Sequence, residues 1–109
     1  MHELSITRSV VAICAENCNG ARVTRVTLEI GKLSAVMPDA VRFCFDICAK
    51  ATAVEGASLE IIEVPGVAHC LDCEGDVELD DLVGRCTCGS RNLKLVSGSE
   101  LKIREMEVV

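Results

Sequence analysis

The sequence predicts an α+β fold, an α–β–α–β unit interrupted by a metal-stapled insert and closed by a strand that returns to the parent sheet. Three observations predict it. Apolar residues recur at helical spacing in two stretches and with period two in three others. Between Pro65-Gly66 and Ser97-Gly98-Ser99 lies a block with four cysteines and a composition of its own. The segment after that block alternates again, as a strand rejoining a sheet must.

The elements follow in chain order. From Glu3 to Cys18, Leu4, Val11, Cys14 and Cys18 fall three, four or seven residues apart, with Val10 and Ile13 beside them, which is a helix stripe. Asn19-Gly20 ends it, glycine being the residue that accepts the left-handed conformation after a helix. Arg22–Ile30 alternates, with Val26, Leu28 and Ile30 on one face and Arg25, Thr27 and Glu29 on the other, so it reads as a half-buried strand closed by Gly31. A second helix starts at Pro38, whose missing N–H costs nothing in the first turn. Val41, Phe45 and Cys48 make its stripe, Cys44 and Ile47 flank it, and it fades near Ala51. Ser58–Val64 is the next strand, stopped by Pro65-Gly66. In Glu100–Val108, Leu101 and Ile103 share one parity while Met106 and Val108 share the other, and a bulge near Arg104-Glu105 reconciles them.

Composition bounds the function. Half of the 109 residues are apolar and a quarter charged, enough for one modest core. Phe43 and Phe45 are the only aromatics, and 11 basic against 17 acidic residues give a net charge of −6. No basic cluster or stacking platform is present, which argues against nucleic-acid binding. The longest strongly apolar run, Val10–Ala15, falls far short of a membrane span. Met1-His2-Glu3 lacks the positive start of an export signal, so a cytoplasmic protein is expected. A nucleophile–base pair is not apparent and two histidines do not build one, so the chain does not read as an enzyme.

In a reducing compartment, eight cysteines argue for metal or thiol chemistry rather than disulfides. Cys70 and Cys73, then Cys86 and Cys88, supply two thiolate pairs, the donor set of a closed structural zinc site. A redox C-x-x-C would open a helix, and nothing helical follows Cys73; an iron–sulfur cluster fits the ligand count alone. The short spacer in Cys86-Thr87-Cys88 departs from the usual C-x2-C and predicts strained geometry or weaker binding there. His69 is either an alternative ligand or an exposed polar neighbour. Residues 67–96 thus form the insert, with an acidic face of Glu74, Asp76, Glu78, Asp80 and Asp81, while 1–66 and 97–109 form the parent domain. Cys14, Cys18, Cys44 and Cys48 lie one turn apart in pairs and read as small core residues, the alternative being a second thiol site between the helices.

The amino terminus offers a second set of donors. The α-amine of Met1, the amide nitrogen of His2 and its imidazole can chelate one ion through five- and six-membered rings, a set suited to square-planar Ni(II) or Cu(II). Glu3 could supply a further position; Asp39, Asp46 and Glu16 are further candidates, though each reads first as a solvated helix charge. Alone, a histidine at position two is weak evidence and reads first as an incidental terminal residue. A large second residue also favours retention of Met1.

The opening Met1-His2-Glu3-Leu4-Ser5, Arg25-Val26 leading into Leu28–Ser34, Arg42-Phe43-Cys44-Phe45-Asp46 and the four-cysteine block together resemble the HypA/HybF family, over essentially the whole chain. Its members are nickel metallochaperones for maturation of nickel-iron hydrogenase. The resemblance implies two helices packed on a three-stranded sheet as the nickel-binding domain, with an inserted zinc-ribbon-like domain held by Cys70, Cys73, Cys86 and Cys88. It implies His2 as nickel ligand with Glu3 adjoining, and the GTPase HypB and the hydrogenase large-subunit precursor as partners. Some relatives also serve urease. Oligomeric state is left open, a homodimer included. The competing reading is a zinc-ribbon scaffold or interaction protein without nickel delivery, which leaves His2 idle.

Overall fold

The computed structural model describes residues 2–80 and 84–109, His2 through its backbone alone. The elements are α1 (His2–Glu16), β1 (Val23–Gly31), α2 (Pro38–Ala49), β2 (Ser58–Val64), β3 (Gly66–Cys70), β4 (Asp76–Leu79), β5 (Leu93–Ser97) and β6 (Leu101–Val108). They make two helices and two small sheets, an α+β fold. Among the described residues no helix is long and apolar enough to cross a membrane.

Helix α1 stops two residues before the expected Cys18. The Asn17 side-chain amide donates to the Ile13 carbonyl at 2.7 Å, and its backbone N–H is shared between Ile13 and Cys14 at 3.2 Å each. Asn19 and Gly20 then both turn left-handed, at φ 54° and 80°. Cys18 therefore lies beyond the helix, though it remains buried. The buried face of α1 is Thr7, Val10, Val11 and Cys14, while Ile13 faces out. Thr7 is tolerated inside because its hydroxyl donates back to the Glu3 carbonyl at 2.6 Å. In α2, Val41, Phe45 and Ala49 are buried, and Phe43 stands 75% exposed on the outer side.

The parent sheet has the order β2-β1-β6. Strand β1 runs parallel to β2, to which α2 provides the crossover, and antiparallel to β6. Val26, Leu28 and Ile30 of β1 meet the buried stripes of both helices in the main core, to which Ile103 and Met106 of β6 contribute. On the other face Arg25 pairs with Glu60 and Glu107, and Glu29 with Lys102 and Arg104. Thr27 lies between these long side chains and is buried as well, against the alternation expected of it. Opposite β1, Thr27 faces Glu105 and Leu28 faces Ile103, leaving Arg104 as the extra residue. The bulge sits where the parity slip in the sequence placed it.

The second sheet, β4-β3-β5, is antiparallel throughout. Its core is small: Ala68, Leu79 and, from the loop after β1, Leu33, with Val77 and Leu93 partly buried against them. The radius of gyration is 17.0 Å, against roughly 13 Å for one compact domain of this length, as two separate cores require. Three glycines let the backbones touch where the sheets meet. A Cβ on Gly31 would stand 2.0 Å from the Gly98 carbonyl oxygen, and one on Gly66 would stand 2.6 Å from Leu33. The Leu33 N–H donates to that same Gly98 carbonyl at 2.7 Å. Gly31→Ala is therefore expected to destabilise the protein by about 1–3 kcal/mol, because rigid backbone and not a flexible side chain must yield. Thermal unfolding should show Tm lowered by roughly 5–15 °C, and an unchanged Tm would contradict the close approach.

Candidate metal centre

The four cysteines of the second sheet converge. Cys70 ends β3, Cys73 follows in the turn to β4, and Cys86 and Cys88 lie in the loop before β5. All four sulfurs lie within 4.8 Å of one another. Two contacts cross between the pairs, Cys70 to Cys88 at 3.7 Å and Cys73 to Cys86 at 3.6 Å. A tetrahedral zinc with sulfur ligands at about 2.3 Å sets sulfurs about 3.8 Å apart. The residues present fit such an ion.

Each pair is held by its own turn. The Cys73 N–H points at the Cys70 sulfur at 3.5 Å, and the Cys70 N–H and carbonyl bond Gly75 and Glu74 at 2.8 and 2.9 Å. In the second turn the Gly89 N–H donates to the Cys86 carbonyl at 2.8 Å and the Cys86 N–H to the Ser90 carbonyl at 2.9 Å. Gly89, at φ 94°, makes the chain reversal after Cys88, so the single-residue spacer still brings both sulfurs inward. The Ser90 hydroxyl donates to the Asp72 carboxylate and ties one turn to the other.

The sulfurs divide into two kinds. The Cys73 N–H, assisted by that of Asp72, holds the Cys70 thiol at about 6. The Cys88 N–H likewise lowers Cys86. At Cys73 the Gly75 N–H also pulls downward, but the Cys86 and Cys70 sulfurs push the thiol up to about 12. Cys88 moves upward as well: the Ser90 N–H acts against the shift, and the Cys86 sulfur, burial and the Cys70 sulfur together outweigh it. Four thiolates cannot gather at this separation without a cation among them. The donor set is that of a thiophilic divalent metal with no position left open.

His69 is not part of the cluster. It stands opposite Asp76 across β3 and β4, and its Nδ1 lies 2.8 Å from the Asp76 carboxylate. Glu74, Asp76, Glu78 and Asp80 are exposed, and Asp81 lies outside the described residues. Cys14 and Cys18 are buried in the main core and Cys48 packs against it. Cys44 is partly buried on α2 and lies outside that core cluster. Among the described residues those four thiols build no group of three or more metal donors.

Met1 and the His2 side chain lie outside the described residues; α1 opens at His2. Glu3 is described. Its carboxylate accepts the Met37 N–H at 3.3 Å, which joins the first turn of α1 to the residue preceding α2. Periodicity gives no sign of this contact, since its partners are 34 residues apart. Asp39 accepts from Arg42 at 2.9 Å, and Asp46 and Glu16 are exposed on their helices' outer sides.

Known proteins resemble the chain from end to end. Residues 1–108 match a family model described as "Hydrogenase/urease nickel incorporation, metallochaperone, hypA". A hydrogenase maturation factor HypA from Nostoc punctiforme is 57% identical over 108 residues, covering 99% of this chain and 96% of that protein. One from Geobacter metallireducens is 48% identical over 109 residues, covering 99% of each. Among solved structures, the solution structure of the nickel metallochaperone HypA from Helicobacter pylori superposes with a TM-score of 0.68 at 26% identity, covering 98% of this chain and 97% of that one. A second HypA solution structure gives 0.71 at 28% identity, covering 100% and 97%.

Proposed function

The chain belongs to the HypA family of nickel-incorporation metallochaperones, and from that premise we propose that it binds Ni(II) through its amino-terminal Met1-His2 segment and delivers it during nickel-iron hydrogenase maturation. The cargo site comprises the Met1 amine, the His2 amide and imidazole, and Glu3. Cys70, Cys73, Cys86 and Cys88 hold a structural zinc that shapes the second sheet and takes no part in delivery. The protein works in the cytoplasm, receives help from the GTPase HypB and hands nickel to the hydrogenase large-subunit precursor. It is a carrier and not an enzyme. Residues 1–66 and 97–109 form the cargo domain and 67–96 the zinc domain.

The observation that carries this reading is a family match that includes the amino terminus, on a chain whose first helix opens at His2. The first four N–H groups of a helix have no acceptor within it. A metal can therefore take the His2 amide nitrogen without breaking a helical hydrogen bond. The positive end of the helix opposes a cation there; a deprotonated amide and the nearby Glu3 carboxylate offset that. The resulting site would hold nickel through a few donors at the chain terminus, from which the cargo can leave.

Titration of the zinc-loaded protein with Ni(II) tests the proposal. About one nickel per chain is expected beyond the zinc, with heats that differ between two buffers of unequal ionisation enthalpy because ligation releases protons. A protein that takes up no nickel beyond its zinc overturns delivery and leaves the scaffold reading.

A further inference from the structure

The sheet order leaves the outer side of β6 without a strand partner among the described residues, along all of Leu101–Val108. Edges of this length usually carry some device against pairing. Here the charges are sorted by sign, with Lys102 and Arg104 in the first half and Glu105 and Glu107 in the second. Set antiparallel to itself, the strand pairs Leu101 with Val108, Lys102 with Glu107, Ile103 with Met106 and Arg104 with Glu105. Apolar meets apolar and basic meets acidic at every step.

The faces agree as well. Leu101, Ile103 and Met106 lie opposite Ile30, Leu28 and Val26 of β1 and so on the helix side, while Lys102, Glu105 and Glu107 lie opposite Glu29, Thr27 and Arg25 on the other. Arg104, the bulge residue, also belongs to that second side, with its guanidinium 4.0 Å from the Glu29 carboxylate. Residues directly opposite in an antiparallel pair share a face. The bulge therefore meets its own copy and leaves the facing consistent. Within the chain, Lys102 and Arg104 approach the half-buried Glu29 only at 3.8 and 4.0 Å and Arg25 approaches Glu107 at 3.5 Å, so the exposed Lys102, Arg104 and Glu107 side chains can take a further partner.

We propose that β6 is a homodimer interface, on which a second copy of this chain adds its own β6 antiparallel about a two-fold axis between Arg104 and Glu105. The two parent sheets then form one six-stranded sheet with the β6 strands at its centre. The helix side carries the apolar complement. A groove of about 320 Å³ opens between α1 and β6, lined in part by Ile6, Val10, Ile13, Leu101 and Ile103. Leu101 and Val108 are 37% and 46% exposed. The pairing sets the partner's Val108 beside Leu101 at the mouth of that groove, and each covers the other.

Light scattering of the zinc-loaded protein over a dilution series tests this. A monomer–dimer equilibrium is expected for the natural chain. Arg104→Glu sets glutamate against Glu105 in each of the two symmetry-related pairs, and Glu105→Arg sets arginine against Arg104 in each. Either change should raise the dimer dissociation constant on the order of 30-fold or more. Mixing the two variants should restore the dimer, since each new glutamate then faces a new arginine. Zinc content and Tm establish that both variants fold. A natural chain that stays monomeric at every concentration overturns the proposal. So does a dimer indifferent to both reversals, or a mixture of folded variants that fails to recover.

Discussion

Replacing His2 by alanine is expected to abolish nickel loading at stoichiometric concentrations while leaving one zinc per chain in place. The imidazole closes the second ring of the proposed chelate, and without it the amine and amide hold nickel through a single ring. Even groups that merely orient a ligand change metal affinity by 10–100-fold, so a direct donor should weaken nickel binding on the order of 100-fold or more. Alanine is the best helix former, so α1 should still open at position two and the core beneath Val10, Val11 and Cys14 should not change. Acetylating the Met1 amine, or preceding it with two further residues, removes a different donor from the same site and should have an effect of the same order. Nickel titration with zinc measured in parallel reads both. Unchanged affinity in the alanine variant and the capped protein together would remove the amino terminus from the cargo site.

What was legible in the sequence was whatever a local period or spacing encodes. The alternation of Val26, Leu28 and Ile30 gave the buried face of β1, and the parity slip between Ile103 and Met106 gave the bulge at Arg104. The short spacings of Cys70, Cys73, Cys86 and Cys88 gave the sulfur cluster, because two thiolate pairs on two tight turns have few other uses. Periodicity tells which face is apolar and not what lies against it. Leu33 reads as a loop residue of the parent domain, yet it is buried in the core under the second sheet. Glu3 reads as an acidic residue of a first helical turn, and its contact with Met37 depends on how α1 and α2 pack. Thr7 is buried without an apolar side chain, made possible by a hydroxyl bond to the preceding turn that no hydrophobic pattern registers. The early end of α1 likewise rests on the Asn17 side chain competing for a carbonyl.

The placement of Leu33 bears on the second large effect, the removal of zinc. With the metal withdrawn by a chelator, β3, β4 and β5 are expected to lose their amide protection from hydrogen exchange while β1 keeps its own. The asymmetry follows from the cores. The main core gathers Phe45, Leu28, Ile30 and several valines from both helices and β1, whereas among the described residues the second gathers Leu33, Ala68 and Leu79. A sheet of three short strands on so little apolar surface cannot offset the conformational entropy of ordering them. A structural zinc contributes about 10–16 kcal/mol in small domains of this kind, more than the whole stability of many folded proteins. Cys73→Ser should act as zinc removal does, since it leaves three sulfurs around an ion that needs four. Because Leu33 lies in the small core while its N–H bonds Gly98, protection should also fall in the loop after β1 and stop at Gly31, whose N–H bonds Glu100 within the parent domain. Exchange measured residue by residue decides the matter: protection retained at Ala68 and Leu93 in the zinc-free protein would mean that packing alone holds the second sheet, and a loss that spreads to Val26 and Leu28 would mean that the two cores are not separate.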